Sequence, residues 1–236
     1  MPIPDKGLVY TGSRDPRPGP PGIRERSVQI LIGQADLVGD LTIPEQPQGL
    51  ILFAHGSGSS RQSPRNRWVA GELQHAHFAT LLIDLLTVSE EQIDLRTMEF
   101  RFDIGMLAER LIKLTDWHNM HAELSKLPLG YFGASTGSAA ALIAAAARPD
   151  HVRAVVSRGG RPDLAASSLP RVSAPTLLIV GGDDMPVIEM NRQAFELLPN
   201  QKKLEIVPGV THLFEEPGAL EQVARLGAEW YRQYLV

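Results

Sequence analysis

The 236-residue chain is 43% hydrophobic and 21% charged, which is enough apolar material for one sizeable core and too much for a disordered chain. A formal charge of -4 offers no basic excess for nucleic acid, and the absence of cysteine excludes disulfides, a thiolate nucleophile and cysteine-ligated metals. No run reaches the ~18 apolar residues that span a bilayer, and the first residues hold no apolar stretch of signal-peptide length, so a cytoplasmic protein with no membrane partner is expected.

Residues 1–24, rich in Pro, Gly and Arg, read as an irregular arm ahead of a domain over 25–236. "RSVQILI" and "ADLVGDLTIP" read as two strands about the turn Gly33-Gln34, an antiparallel hairpin at a sheet edge closed by Pro44 and Pro47. Residues 50–54 are apolar without alternation, as in a strand covered on both faces. A helix follows over 64–77, with Ser63 or Ser60 near its cap. Then come the strand "ATLLIDLL", a polar connection over 87–97, and a helix over 98–118 from the spacing of Phe102, Leu107, Leu111 and Leu114. The alternation continues: strand "LGYFGAS", helix 137–147, strand "VRAVVSRGG", strand "APTLLIVGG", helix 187–198, strand "KKLEIVPG" and a last helix over 217–234. Strands alternating with helices give an α/β architecture, a mostly parallel sheet with helices on both faces. The segment "RPDLAASSLPRVS" before the seventh strand is too short for a large cap domain.

Chemistry in such a sheet gathers beyond the C-terminal strand ends, where Gly133-Ala134-Ser135-Thr136-Gly137 lies. A strand turning straight into a helix brings backbone against backbone, so the flanking glycines have a steric reason. The turn pushes the Ser135 side chain out of the sheet at the N-terminus of a helix, as in a nucleophile elbow. A serine hydroxyl needs a base, and the base an acid to orient it, here in the chain order Ser, Asp, His. Asp183 and Asp184 both follow a strand; Asp184 is preferred, because Gly182 frees the chain to turn and Asp183 can cap or face solvent. Of seven histidines, only His212 has both the position and the order. His55 is expected to brace the loop after the third strand. The oxyanion donors are expected to be the backbone N–H of Thr136 and that of Ser57, with Gly58 as the alternative.

The elbow "GASTG", the acid loop "GGDDMPV", the segment "GVTHLFEEPG" and the loop "HGSGSS" together resemble the α/β-hydrolases, and within them the dienelactone-hydrolase-like proteins, over nearly the whole chain from about Ser27. The resemblance implies an eight-stranded sheet whose second strand is antiparallel, and an acyl-enzyme completed by water with no cofactor and no metal. It also favours Asp184, since the acid loop of these proteins often reads Gly-Gly-x-Asp with a hydrophobic residue three places on, here Val187. The dienelactone hydrolases themselves carry cysteine at the elbow where this chain has Ser135, so a serine esterase is the more direct expectation. Some relatives are joined to a phosphoribosyltransferase domain, and this sequence carries no phosphoribosyl-binding loop.

The expected activity is therefore hydrolysis of a small carboxylic ester, a small-molecule partner. Lactone, thioester or small-peptide hydrolysis by the same triad is one alternative and a non-catalytic ligand-binding relative another. Arg61, Arg67, Arg158 and Arg161 stand near the catalytic edge. They either fork an anionic group on the substrate, Arg158 first among them, or pair with carboxylates such as Asp163, Asp94, Glu91 and Glu99 to brace loops. Trp68, Phe100 and Leu213 are candidates for an acyl pocket. The oligomeric state is left open.

Overall fold

The computed structural model describes residues 22–235. β1 (Arg24–Ile32) and β2 (Ala35–Ile43) pair antiparallel, with Ile32 opposite Ala35 across the turn at Gly33, whose φ of 62° is the left-handed geometry that favours glycine. The strand period of two is plain: Ile30 and Ile32 are buried while Leu31 between them is 72% exposed. The expected arm lies outside the described residues up to position 21, and Arg24, its last assigned residue, already opens β1.

The remaining strands are β3 (Leu50–Ala54), β4 (Ala79–Ile83), β5 (Leu129–Ala134), β6 (Val152–Arg158), β7 (Thr176–Gly181) and β8 (Lys202–Val207). The sheet order is β1-β2-β4-β3-β5-β6-β7-β8. β2 runs antiparallel to both neighbours and every other pairing is parallel, so the second strand is the odd one, as the resemblance implied. All residues of β3, β4 and β5 are buried, which is why those strands show no apolar–polar alternation.

Each face of the sheet has its own core. α1 (Pro64–His75) and α6 (Ala219–Tyr234) cover one face over Ile51, Phe53, Phe132 and Ile179. α3 (Ile104–Met120), α4 (Thr136–Ala147) and α5 (Met185–Leu197) cover the other over Leu52, Tyr131 and Leu178. Each fully buried Leu, Ile or Phe contributes roughly 1.5–3 kcal/mol of transfer free energy. α4 is almost wholly buried, and its alanines combine the best helix propensity with side chains small enough for close packing.

Two expectations need correction. Residues 87–97 are not an irregular polar connection: α2 (Val88–Thr97) forms there, started by a capping box in which Thr87 accepts from Glu90 N–H and Glu90 accepts from Thr87 N–H. Only Asp94 of α2 is buried, so no apolar stripe announces the helix. The next helix starts at Ile104 rather than Met98, because Met98 takes a left-handed φ of 58° that ends α2 and Asp103 caps α3. Phe102, counted toward the helical spacing, is 56% exposed.

Candidate active site

The β5–α4 junction is built from glycines for a reason that can be measured. A β-carbon at position 133 would fall 2.4 Å from Ser138 Cα, and one at 137 would fall 2.2 Å from the Ala54 carbonyl oxygen. Neither fits, so α4 can start directly against the end of β3 only with glycine there. Between them Ser135 has φ 49° and ψ -121°, a strained conformation for a residue with a side chain. Backbone bonds hold it in place: Ser135 N–H donates to the Arg158 carbonyl (3.2 Å), and the Ser135 carbonyl accepts from the N–H groups of Ser138 and Arg161 (both 3.1 Å). The Ser138 hydroxyl donates to the same carbonyl at 2.8 Å. Ser135 is the N-cap of α4 but makes no side-chain cap bond, so its hydroxyl is not committed to the helix.

His212 and Asp184 come together from separate loops. Asp184 follows β7 at the start of α5, makes no cap bond with its side chain, and instead accepts from His212 Nδ1 at 2.6 Å. That bond leaves Nε2 as the ring nitrogen available to another partner. Asp183 is exposed. The His212 ring packs on the turn after β6, where a β-carbon on Gly159 would lie 3.5 Å from Cε1. Gly159 follows Arg158, whose carbonyl holds Ser135, so the imidazole and the serine occupy the same rim of the sheet.

The loop after β3 lies over this rim. His55 is buried; its Nδ1 is 3.0 Å from the Gly56 carbonyl, and its Nε2 accepts the Leu85 N–H at 3.0 Å, which assigns the proton to Nδ1. Burial pushes this imidazole below its ordinary pKa of 6.5, against the raising effect of the Gly56 bond. It braces the loop and stays neutral. Ser57 N–H donates to the Thr136 hydroxyl at 2.8 Å, so the expected oxyanion donor already has a partner within the site, and the side chain of the residue after Ser135 ties the loop to α4. Gly58 N–H, the alternative donor, stands in the same loop, where Gly58 has a φ of 67°.

Sequence reasoning missed Arg101. Its Nε donates to Asp94 Oδ2 (2.6 Å), its Nη2 donates to the Asp94 carbonyl (3.1 Å), and its Nη1 would lie 3.2 Å from a β-carbon at Gly58. Arg101 thus closes the otherwise exposed end of α2 through Asp94 and lies against the loop after β3, and with His55, Leu86 and Asp94 it lines a cavity of about 50 Å³ there. The one prior signal was the capping box that starts α2.

The four arginines singled out from sequence separate. Arg61 pairs with Asp84 and Asp40, Arg67 with Asp40 and Gln62, and Arg161 with Asp163 through two bonds of 2.9 and 2.8 Å. These three brace loops, although Asp84 and Asp40 were not among the anticipated partners. Arg158 is different. It is buried, contacts Asn66 Oδ1 at a long 3.4 Å, lies 5.8 Å from the centre of the Phe214 ring, and has no carboxylate partner among the described residues. Of the pocket candidates, Trp68 packs against the α1–α6 core, Phe100 is half-buried, and Leu213 is 44% exposed. Among the described residues no group of three or more His, Asp or Glu side chains is placed to hold a metal ion, and no helix is long and apolar enough to cross a membrane.

Comparison with known proteins places this geometry. No family model matches the sequence. Two curated proteins from strains of Mycobacterium tuberculosis, each named "Putative phosphoribosyl transferase", are 54% identical over 230 residues, which is 98% of this chain and 51% of theirs. The chain thus spans about half the length of the curated relatives it matches. Among solved structures, Est1E from Butyrivibrio proteoclasticus has the same fold, with a TM-score of 0.74 at 16% identity over 88% of this chain and 98% of its own. A dienelactone hydrolase from Anabaena variabilis superposes with a TM-score of 0.89 at 60% identity, over 91% of this chain and 99% of its own. With that identity over nearly both whole lengths, and an eight-stranded sheet carrying its serine elbow at the β5–α4 junction, the chain belongs to the dienelactone-hydrolase family of α/β-hydrolases.

Proposed function

We propose that the protein is a serine hydrolase that cleaves small carboxylic esters through Ser135, His212 and Asp184. The observation that carries this reading is the 2.6 Å bond between His212 Nδ1 and Asp184, made by a ring that stands over Gly159, next to the Arg158 carbonyl that accepts the Ser135 N–H. In the reaction, His212 Nε2 takes the Ser135 proton as Oγ attacks the ester carbonyl, while Asp184 fixes the tautomer and steadies the imidazolium. The Thr136 N–H and an N–H of the loop at 57–58 receive the developing oxyanion, each such donor typically lowering the barrier by about 3 kcal/mol. His212 then gives its proton to the leaving alcohol and later activates water on the acyl-enzyme. No cofactor enters these steps.

Screening p-nitrophenyl esters of graded acyl length against wild type and Ser135→Ala tests the reading. Turnover should be fastest with short acyl chains, and an acylating serine probe should label wild type alone. Equal rates from both proteins would refute it. A lactone, being a cyclic ester, opens by the same steps, and the name of the Anabaena relative makes it the second class to assay. The anionic substrate group anticipated for the loop arginines now rests on Arg158, since Arg61, Arg67 and Arg161 hold carboxylates of the protein itself.

A further inference from the structure

Between the first turn of α1 and the loop that carries His212, the molecule buries more positive charge than it neutralises. Arg65 and Asn66 are consecutive in α1, and Phe214 and Glu215 are consecutive after His212. These two dipeptides interlock around Arg158. Asn66 Oδ1 accepts from Arg158 Nη2 (3.4 Å), the Phe214 ring lies against the Arg158 guanidinium, and Arg65 Nη1 donates to Glu215 (2.7 Å). Two guanidiniums therefore share the seam with one carboxylate. Arg158 Nη1 and Arg65 Nε are both shielded from solvent and have no hydrogen-bond partner among the described residues.

The energetics here favour an anionic partner. A buried charge without a counter-charge is strongly disfavoured, and an arginine does not escape by losing its proton. Burial and the neighbouring Arg65 charge push Arg158 down to about 10, which leaves it cationic at neutral pH. The first turn of α1 carries no acidic residue, so the positive end of that helix adds to the field. The Phe214 face offsets part of the cost, and one long bond to a neutral amide offsets little.

We propose that Arg65 and Arg158 form a binding site for an oxyanion, a carboxylate or a phosphate, seated between α1 and the His212 loop. The unpartnered Nη1 of Arg158 and Nε of Arg65 supply the donors, and Asn66 and Phe214 hold the Arg158 fork in place. A β-carbon on Gly159 would lie 3.5 Å from both the Phe214 ring and His212 Cε1, so the site stands beside the His212 imidazole. The oxyanion is either carried by the ester, a case that rests on the serine-hydrolase reading above, or taken up free, a case that does not.

Three proteins decide it: wild type, Arg158→Met and Arg65→Gln. The substrate-borne arm compares p-nitrophenyl valerate with mono-p-nitrophenyl glutarate, in which a carboxylate replaces the terminal methyl. Wild type should favour the glutarate by about tenfold or more in kcat/KM, and both variants should bring that ratio down toward one, since a charge-assisted bond contributes about 1.5–3 kcal/mol. The free-anion arm adds inorganic phosphate and follows thermal unfolding. A site filled to about 100 Kd raises Tm by several degrees in wild type and by none in the variants. Either effect, lost in the variants, supports the site and names its source. A wild type that shows neither, or variants that retain the effect in full, overturns it. Should Arg158→Met fail to fold, Arg65→Gln carries the comparison, because that side chain is partly exposed. Turnover of the valerate with no anion effect would sink the oxyanion site and leave the hydrolase standing. A phosphate-dependent Tm with no ester turnover would do the reverse.

Discussion

The imidazole of His212 stands over Gly159: a β-carbon at 159 would just touch His212 Cε1 at 3.5 Å and crowd the His212 carbonyl oxygen at 3.2 Å. Gly159 also has a φ of 52°, where a side chain costs about 1–2 kcal/mol. Gly159→Ala should therefore act on both stability and chemistry. We expect a lower Tm and a kcat reduced by about tenfold or more, because sub-ångström displacement of a base is costly in a preorganised site. KM should change little. Steady-state kinetics with a short p-nitrophenyl ester, beside a thermal melt, would show it; a kcat equal to wild type would mean that the ring is not seated through this contact.

The two adjacent carboxylates of the acid loop offer a clean internal control. Asp184 bonds His212 Nδ1, whereas Asp183 is exposed and its backbone N–H goes to the Val210 carbonyl. Asp184→Asn keeps the shape but presents a donor where the ring needs an acceptor, which favours the wrong tautomer. A loss of about 10⁴ in kcat is the expected scale. Asp183→Asn should stay within about twofold of wild type. The reverse ranking would move the acid to Asp183.

How much of this was readable in the sequence depends on how local the cause is. The elbow was legible because its steric demand lies within five residues, and Gly133 and Gly137 meet the very backbones that exclude a β-carbon. The strands were legible because burial on both faces leaves a continuous apolar run. α2 was not, since its apolar residues Val88, Ile93 and Leu95 face outward and its anchors are polar: Glu90 to Arg110 at 2.5 Å, and Asp94 to Arg101 at 2.6 Å. Such ion pairs leave no periodic trace. The same holds for Arg61 and Arg67, whose partner Asp40 lies on β2, and for Arg65, whose place beside Arg158 exists only once α1 is packed on β6 and the His212 loop.

Thr136 joins the loop after β3 to α4 through a single acceptor, its hydroxyl oxygen, 2.8 Å from Ser57 N–H. Thr136→Val removes the acceptor and conserves the shape, and Thr136→Ser keeps the acceptor and removes the methyl. The bond is partly buried, so its loss leaves the Ser57 N–H without its fixed acceptor. We expect Thr136→Val to lower kcat by about tenfold through a looser oxyanion loop, and Thr136→Ser to restore most of it. If the valine variant were faster than wild type, the Thr136 hydroxyl would be a competitor for the oxyanion donor rather than its support.

Stability should fall on acidification before any carboxylate titrates, because two histidines are buried neutral. Burial lowers the pKa of both His55 and His118, against the raising effect of the Gly56 bond on the first and of Asn119, Leu124 and Leu127 on the second. The unfolded chain takes up those protons near its ordinary value of about 6.5 and the folded chain only at lower pH. Between these limits the unfolded state holds more protons, so stability is complete above about pH 6.5 and declines below it. The slope approaches about 1.4 kcal/mol per pH unit for each histidine. Urea unfolding of wild type between pH 8 and 5 measures that slope directly. His55→Gln, which keeps one donor and one acceptor, should reduce the slope by about one proton's worth while lowering stability at pH 8. A stability flat from pH 6.5 to 5 would show that both rings accept protons in the folded protein, and the tautomer assigned to His55, with Nε2 committed to the Leu85 N–H, would have to be abandoned.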